Sequence, residues 1–561
     1  MTRKTRFAPG SNLKGGVTGA NWALLLDRLD LGRTLFLGAP SPATLSMVAP
    51  LADEVMVWEP QSGKRRALHS WVQESGYCNI SVSDEPQVAW QLEELQVDLL
   101  VRGNGGSRPA WCRSKLQRLL RRGGCSYFEA RGSLRRRALG KQLDPAMRAG
   151  AQWLWLTPLQ GEIQSAVPLA DPRTERYFLK HELTGRNLHL PGLRKAERLI
   201  ARNAMGARIV RRFGVLHGGA PRRGAPRPPL YLRRLARLNG LDFDRSGWGL
   251  WARGEYRSQK AIFFLFEAGQ EAPEYVVKMV RDSAFNERLE NEYRALSFLR
   301  ELGPEHRQHV PGAAFLGHPG NLAVVGETAM HGVPFRQRSG GNAGCRHLHE
   351  AVEWLTALGA ATARPVSGAV VSEAMRDLLE RFRKVYRPAP RELVFLEKQI
   401  ERLASSPHPV PMVFQHGDPG VWNVLVRPNG RVVFMDWEAA EHRGMPLWDL
   451  FYFLRSYALL KRVRGLQRRV DLFAHHFFGD SPLAATIQQM TADYCGRVGV
   501  HASLVEPLFY TCWMHRALKE SNRLQPERLA SGRFLGLLQA CVERHVTPGL
   551  QQLFGTEEAA A

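Results

Sequence analysis

Hydrophobic and polar positions divide the chain into three stretches. Between residues 20 and 185, short apolar runs alternate with helix-like segments: TLFLG (34–38), VMVWE (55–59), VDLLV (97–101), CSYFE (125–129) and QWLWLT (152–157). Strand-length runs separated by helix-length segments predict an α/β domain over 1–185 with a mostly parallel sheet. In LRKAERLIARNAMGARIVRRF (193–213), Leu193, Ala196, Leu199, Ile200, Ala207, Ile209, Val210 and Phe213 fall near one helical stripe, with Arg and Lys opposite. The Pro/Gly/Arg-rich HGGAPRRGAPRPP (217–229) reads as linker, so 186–240 is expected to be a basic helix followed by a connection. The pattern is strand-rich over 241–330 and mainly helical from 331 to about 555.

Two local patterns in the last stretch are sharper. Tyr275-Val-Val-Lys278-Met-Val alternates as a strand carrying one lysine, and NERLENEYRALSFLREL (286–302) places Leu289, Tyr293, Leu296 and Leu299 at helical spacing. In QHGDPGVWNVLVRPNGRVVFMDWE (415–438), Asn423-Val-Leu-Val and Val432-Val-Phe-Met435 flank an Arg427-Pro-Asn-Gly430 turn. That is a hairpin with Asp418 and Asn423 before it and Asp436 after it.

Composition limits the function classes. The chain has 561 residues, 44% of them hydrophobic, which is enough for more than one core. Seven scattered cysteines without C-x-x-C spacing argue against a zinc site or a disulfide framework and fit a reducing compartment. No apolar segment follows the basic N-terminus and no membrane-length run occurs, so a cytoplasmic protein is expected. The net charge of +24 is concentrated: residues 102–141 hold twelve Lys and Arg against Glu129, and 193–237 hold thirteen against Glu197. A basic amphipathic helix at 193–213 suits an anionic membrane surface at the inner face, with a packed linker helix as the alternative. No aromatic-interleaved motif accompanies the arginines, so no specific nucleic acid is expected.

The hairpin carries the chemistry. Phosphoryl transfer asks for a carboxylate to orient the acceptor hydroxyl and oxygen ligands to hold Mg²⁺ against the phosphates. Asp418-x-x-x-x-Asn423 followed by a hairpin and Asp436 has the spacing of a catalytic loop and a metal-binding aspartate. With His416, Gly417, Trp437 and Glu438, these residues closely resemble the aminoglycoside phosphotransferase and choline kinase family, whose loop reads H-G-D-x-x-x-x-N. Two hairpin-flanking acids that only cap turns are the bland alternative. The resemblance covers about 245–545 and implies an α+β, protein-kinase-like, two-lobed fold that uses ATP and Mg²⁺. It implies that Asp418 is the catalytic base and that Asn423 and Asp436 hold the metal. Lys278 would meet the ATP phosphates, and Glu292, with Glu290 as second choice, would pair with that lysine. Gly254 and Ser258 would lie in the nucleotide-covering loop, although only one glycine occurs there. LAVVGETAMHG (322–332) is similar to the interlobe hinge, and Asp449 would support the loop structurally. The helix-like FYTCWMHRALKESNR (509–523) is aromatic and mildly basic, which favours a neutral or anionic acceptor over a polycation.

The first stretch resembles S-adenosylmethionine-dependent methyltransferases, a Rossmann-like fold, in TLFLG, in the segment after it and in Glu59. Such an acid about 20 residues beyond the glycine turn would bind ribose. Pro40 and Pro42 replace the expected glycines and remove backbone donors, so S-adenosylmethionine is expected to bind weakly or not at all. The leading reading is an ATP-dependent kinase for a hydroxyl of a small molecule or glycan-type acceptor. Its rivals are a methyltransferase with a regulatory kinase-like domain and a membrane-peripheral pseudokinase scaffold.

Overall fold

The computed structural model describes residues 19–85, 96–103, 119–131, 136, 139, 151–158, 161–179, 212–218, 227–252, 259–466 and 468–555. The chain forms two compact units: unit 1 is Met1–Leu289 with Ala314–Ala329, and unit 2 is Glu290–Ala313 with Met330–Ala561.

Unit 1 is built on one thirteen-stranded sheet. Its first five strands are β1 (Gly32–Leu37), β2 (Ala52–Trp58), β3 (Ile80–Ser83), β4 (Val97–Arg102) and β5 (Leu120–Arg131). They pair in parallel in the order β3-β2-β1-β4-β5, the order of the first five strands of a doubly wound nucleotide-binding sheet. Leu35, Leu37, Met56, Leu100 and Phe128 are buried in one core cluster, as their near-continuous apolar runs require of a sheet covered on both faces. Next come β6 (Ala151–Thr157), β7 (Ser165–Pro168) and β8 (Arg212–Gly218), with β8 inserted antiparallel between β5 and β6.

Two expectations fail here. The helix predicted over 193–213 ends inside β8: Arg212 and Phe213 are strand residues paired with β5 and β6, while 193–211 lie outside the described residues. A surface-bound helix therefore cannot include Arg212. Its guanidinium is buried on Glu129, with Nε and Nη2 donating at 3.1 and 2.8 Å, and Nη1 donating to the carbonyls of Pro158 and Gly161. The Tyr127 hydroxyl donates to the same carboxylate at 2.8 Å. A buried ion pair persists only when its remaining donors and acceptors are satisfied, and here they are. The other difference concerns the boundary near 240. Helix Leu230–Leu238 is not linker; its Tyr231 hydroxyl donates to the carbonyl of Leu24 at 2.7 Å. The strands beyond it, β9 (Gly247–Trp251), β10 (Ala261–Phe266), β11 (Tyr275–Met279), β12 (Ala313–Gly317) and β13 (Val324–Thr328), continue the same sheet through the β7–β9 ladder, Ser165 opposite Trp251.

Unit 2 is mainly helical. It also holds β14 (Val333–Pro334), β15 (Arg364–Val366), β16 (Val410–Gln415), β17 (Val424–Val426), β18 (Val432–Phe434) and β19 (Glu441–Gly444). The predicted hairpin is β17–β18, with Val424 opposite Phe434, and its turn places Gly430 at φ +87°, the left-handed region glycine permits. His309 braces the hairpin: its carbonyl accepts from Phe434 N–H at 2.8 Å and its Nδ1 donates to the carbonyl of Val432 at 2.8 Å. Phe434 and Trp437 pack with Trp354, Phe414 and Phe453 in one large core.

Candidate active site

β16 delivers the chain into the loop that begins at His416. This imidazole is fully buried and its Nδ1 accepts from Asp418 N–H at 3.3 Å, which leaves Nε2 to donate to the carbonyl of Met435 at 3.1 Å. One side chain thus ties the segment carrying Asp418 to the segment carrying Asp436. Gly417 has φ +75°, and a Cβ there would lie 1.9 Å from the carbonyl oxygen of Ala439, so only glycine fits. The Asp449 carboxylate accepts the N–H groups of His416 (2.6 Å) and Gly417 (3.1 Å), the structural support expected of it. Burial holds that carboxyl above its ordinary range.

Asn423 donates its amide to the Asp418 carbonyl at 2.9 Å and more weakly to the Asp418 carboxylate at 3.4 Å. Its own carbonyl accepts Met435 N–H at 2.8 Å, which sets Asp436 beside it across the hairpin. With the amide nitrogen so engaged, the side-chain oxygen of Asn423 is the end left for a ligand. Asp436 sits at φ +70°, a left-handed conformation uncommon outside glycine and tolerated best by Asp and Asn. Helix Asn286–Glu301 holds the next residues: Glu292 Oε1 accepts Trp437 N–H at 3.1 Å, and the Asn291 amide donates to the carbonyls of Glu438 and Ala440. Asp418, Asn423, Asp436 and Glu292 are therefore brought together within unit 2, with Glu292 gripping the backbone directly after Asp436.

Lys278 belongs to unit 1. It is buried on β11, with Nζ 2.8 Å from a Glu327 carboxylate oxygen on β13. The two units divide at Ala329–Met330, inside the predicted hinge segment. Gly254 and Ser258 lie outside the described residues. Among the described residues no cluster of three or more metal-binding side chains occurs.

Sequence reasoning missed a group around Asp418. Tyr452, on helix Trp448–Ala458, is buried, and burial together with the charge of Asp418 pushes its hydroxyl well up. The Arg516 guanidinium lies 3.5 Å over the Tyr452 ring and donates to the carbonyl of Gly417 at 2.9 Å, where Lys519 Nζ also reaches at 3.4 Å. Trp422, half exposed, stands edge-on to Tyr452 at 5.9 Å. The basic, aromatic character of 509–523 was the available signal, but its meeting with 448–458 depends on the tertiary fold.

In the N-terminal sheet, Glu59 is buried and already engaged by backbone donors. Its carboxylate accepts Ala39 N–H at 2.8 Å and Gln61 N–H at 2.9 Å, so the acid at the end of β2 closes the loop after β1.

Residues 257–479, 223 of the chain's 561, match the family model described as the phosphotransferase enzyme family. Similar solved structures include a choline/ethanolamine kinase family protein from Mesorhizobium loti, 18% identical over 55% of this chain and 91% of that one, TM-score 0.32. Another is an aminoglycoside phosphotransferase from Streptomyces rimosus in complex with ADP and streptomycin, 17% identical over 56% and 97%, TM-score 0.30. WbdD with a kinase inhibitor is 13% identical over 82% of this chain and 84% of that one, TM-score 0.21. No curated protein matches.

Proposed function

We propose that the chain transfers the γ-phosphoryl group of ATP to a hydroxyl of a small-molecule or glycan-type acceptor. The observation that carries this reading is the convergence of Asp418, Asn423 and Asp436 at the ends of one hairpin, locked by His416, Asp449 and Glu292, within the region that matches the phosphotransferase family model. Asp418 accepts the acceptor's proton and orients its oxygen. The Asn423 side-chain oxygen and the Asp436 carboxylate are the hard donors that suit Mg²⁺. Bound there, the ion would neutralise charge on the phosphates. Lys278 is assigned to the phosphates, Gly254 and Ser258 to the loop over the nucleotide, and the backbone of 322–332 to the adenine. ATP turnover by the purified full chain, screened against pooled sugars, amino alcohols and lipid-linked glycans, tests the reading. Turnover should appear with one acceptor class and vanish in Asp418→Asn.

The engaged Glu59 weighs against active methyl transfer by the N-terminal sheet, so we assign that half no methyltransferase activity.

A further inference from the structure

Arg455 lies one helical turn beyond Tyr452, whose ring lies under the Arg516 guanidinium that binds the carbonyl of Gly417, the residue before Asp418. It is 4% exposed, and its guanidinium rests over the Phe534 ring at 4.6 Å. Its Nε is buried without a hydrogen-bond partner, and among the described residues no carboxylate forms an ion pair with it. The comparably buried cations Arg212 and Lys278 each hold a carboxylate at 2.8 Å. Glu520, the carboxylate whose charge reaches Arg455, is taken by Arg533 at 2.6 Å and by Phe534 N–H at 3.0 Å. Burial lowers the Arg455 pKa to about 10, so the group stays charged at neutral pH. A buried cation without a counter-charge is costly, and an anion is what would offset that cost.

The same cluster is closed to a cationic acceptor. An aromatic cage needs open ring faces, yet Arg516 covers Tyr452 and Arg455 covers Phe534. Lys519, at the carbonyl of Gly417, adds like charge, offset in part by Glu441 at 3.9 Å.

We propose that Arg455 supplies the counter-charge for an oxyanion, phosphate or carboxylate, carried by the acceptor, which makes the substrate an anionic alcohol. This deepens the phosphotransferase reading and rests on it. In the transfer, the acceptor oxygen bonds to the γ-phosphorus, the bond from that phosphorus to the β–γ bridging oxygen breaks, ADP leaves, and the hydroxyl proton goes to Asp418. Arg455 takes no part in these steps; it holds the substrate's other end.

The test uses the full chain saturated with Mg²⁺ and AMP-PNP, titrated with inorganic phosphate or with acetate, against KCl at equal ionic strength, with Tm as the readout. Phosphate, acetate or both should raise the Tm of the wild type. The apparent affinity should fall at least tenfold in Arg455→Met and recover partly in Arg455→Lys. The responding anion distinguishes a phosphorylated from a carboxylated acceptor. Without anions, Arg455→Met should melt at or above the wild-type temperature, since an uncompensated charge is removed. A lower Tm for that variant, an equal anion response in wild type and Arg455→Met, or no response in either would overturn the proposal. The shift caused by Mg²⁺ and AMP-PNP alone judges the phosphotransferase reading separately.

Discussion

Arg212 tests most sharply whether the basic middle of the chain is surface or core. Arg212→Met leaves the Glu129 carboxylate buried, with only the Tyr127 hydroxyl still donating to it, and strips donors from the carbonyls of Pro158 and Gly161. Breaking a buried pair on one side costs about 3–5 kcal/mol, because the surviving charge keeps its desolvation penalty without its partner. For a unit of this size that corresponds to a drop of about 10 °C in the first thermal transition. Glu129→Leu with Arg212→Met removes both charges and should cost about 2–3 kcal/mol less than the single losses added, the coupling expected of groups in direct contact. The assay is urea denaturation and calorimetry on the full chain for the wild type, both single variants and the double variant. Arg212→Met within about 0.5 kcal/mol of wild type, the usual range for a surface change, would refute the reasoning.

Three other outcomes follow from the geometry. Gly417→Ala should abolish turnover and lower stability by at least about 1–2 kcal/mol from the left-handed backbone alone; wild-type melting with intact turnover would contradict this. Burial holds the His309 imidazole down at about 4, so the folded state requires it neutral. Its contribution to stability is present above pH about 6.5 and is lost as pH falls towards 4, making the acid limb of the pH–stability curve steeper in wild type than in His309→Phe. Calorimetric titration of the full chain with S-adenosylmethionine should show weak binding or none, and micromolar binding abolished by Glu59→Ala would reverse the assignment of the N-terminal sheet.

What the sequence showed and what it hid divide along the range of the interactions. The hairpin, its glycine turn and the spacing of Asp418, Asn423 and Asp436 are local and could be read directly. So could four of the five parallel strands, β1, β2, β4 and β5, whose apolar runs are bounded by polar segments; the short, polar β3 was not read, and the run QWLWLT is the antiparallel β6. β8 was hidden because Arg212 looks like a solvated helix charge until Glu129, 83 residues earlier in the chain, cancels it. The continuity of the sheet rests on the short β7–β9 ladder, a pairing without a local signature. The role of Glu292 as an acceptor for Trp437 N–H, and the cluster of Tyr452, Arg455 and Arg516, likewise arise from segments far apart in sequence. The proline-substituted turn after β1 pointed to a poor cofactor loop, but not to Glu59 closing it.

In the proposed transfer the two aspartates divide the labour, and nucleotide titration with and without Mg²⁺ separates their roles. Wild type should bind ATP in a Mg²⁺-dependent manner. Asp418→Ala should keep Mg-ATP affinity within a few-fold while losing turnover, because the proposed role of its carboxylate is toward the acceptor and not the nucleotide. Asp436→Ala should lose both turnover and the Mg²⁺ dependence of binding. Loss of Mg-ATP binding in Asp418→Ala with retention in Asp436→Ala would invert the assignment, and a wild-type chain that binds no nucleotide would contradict the account.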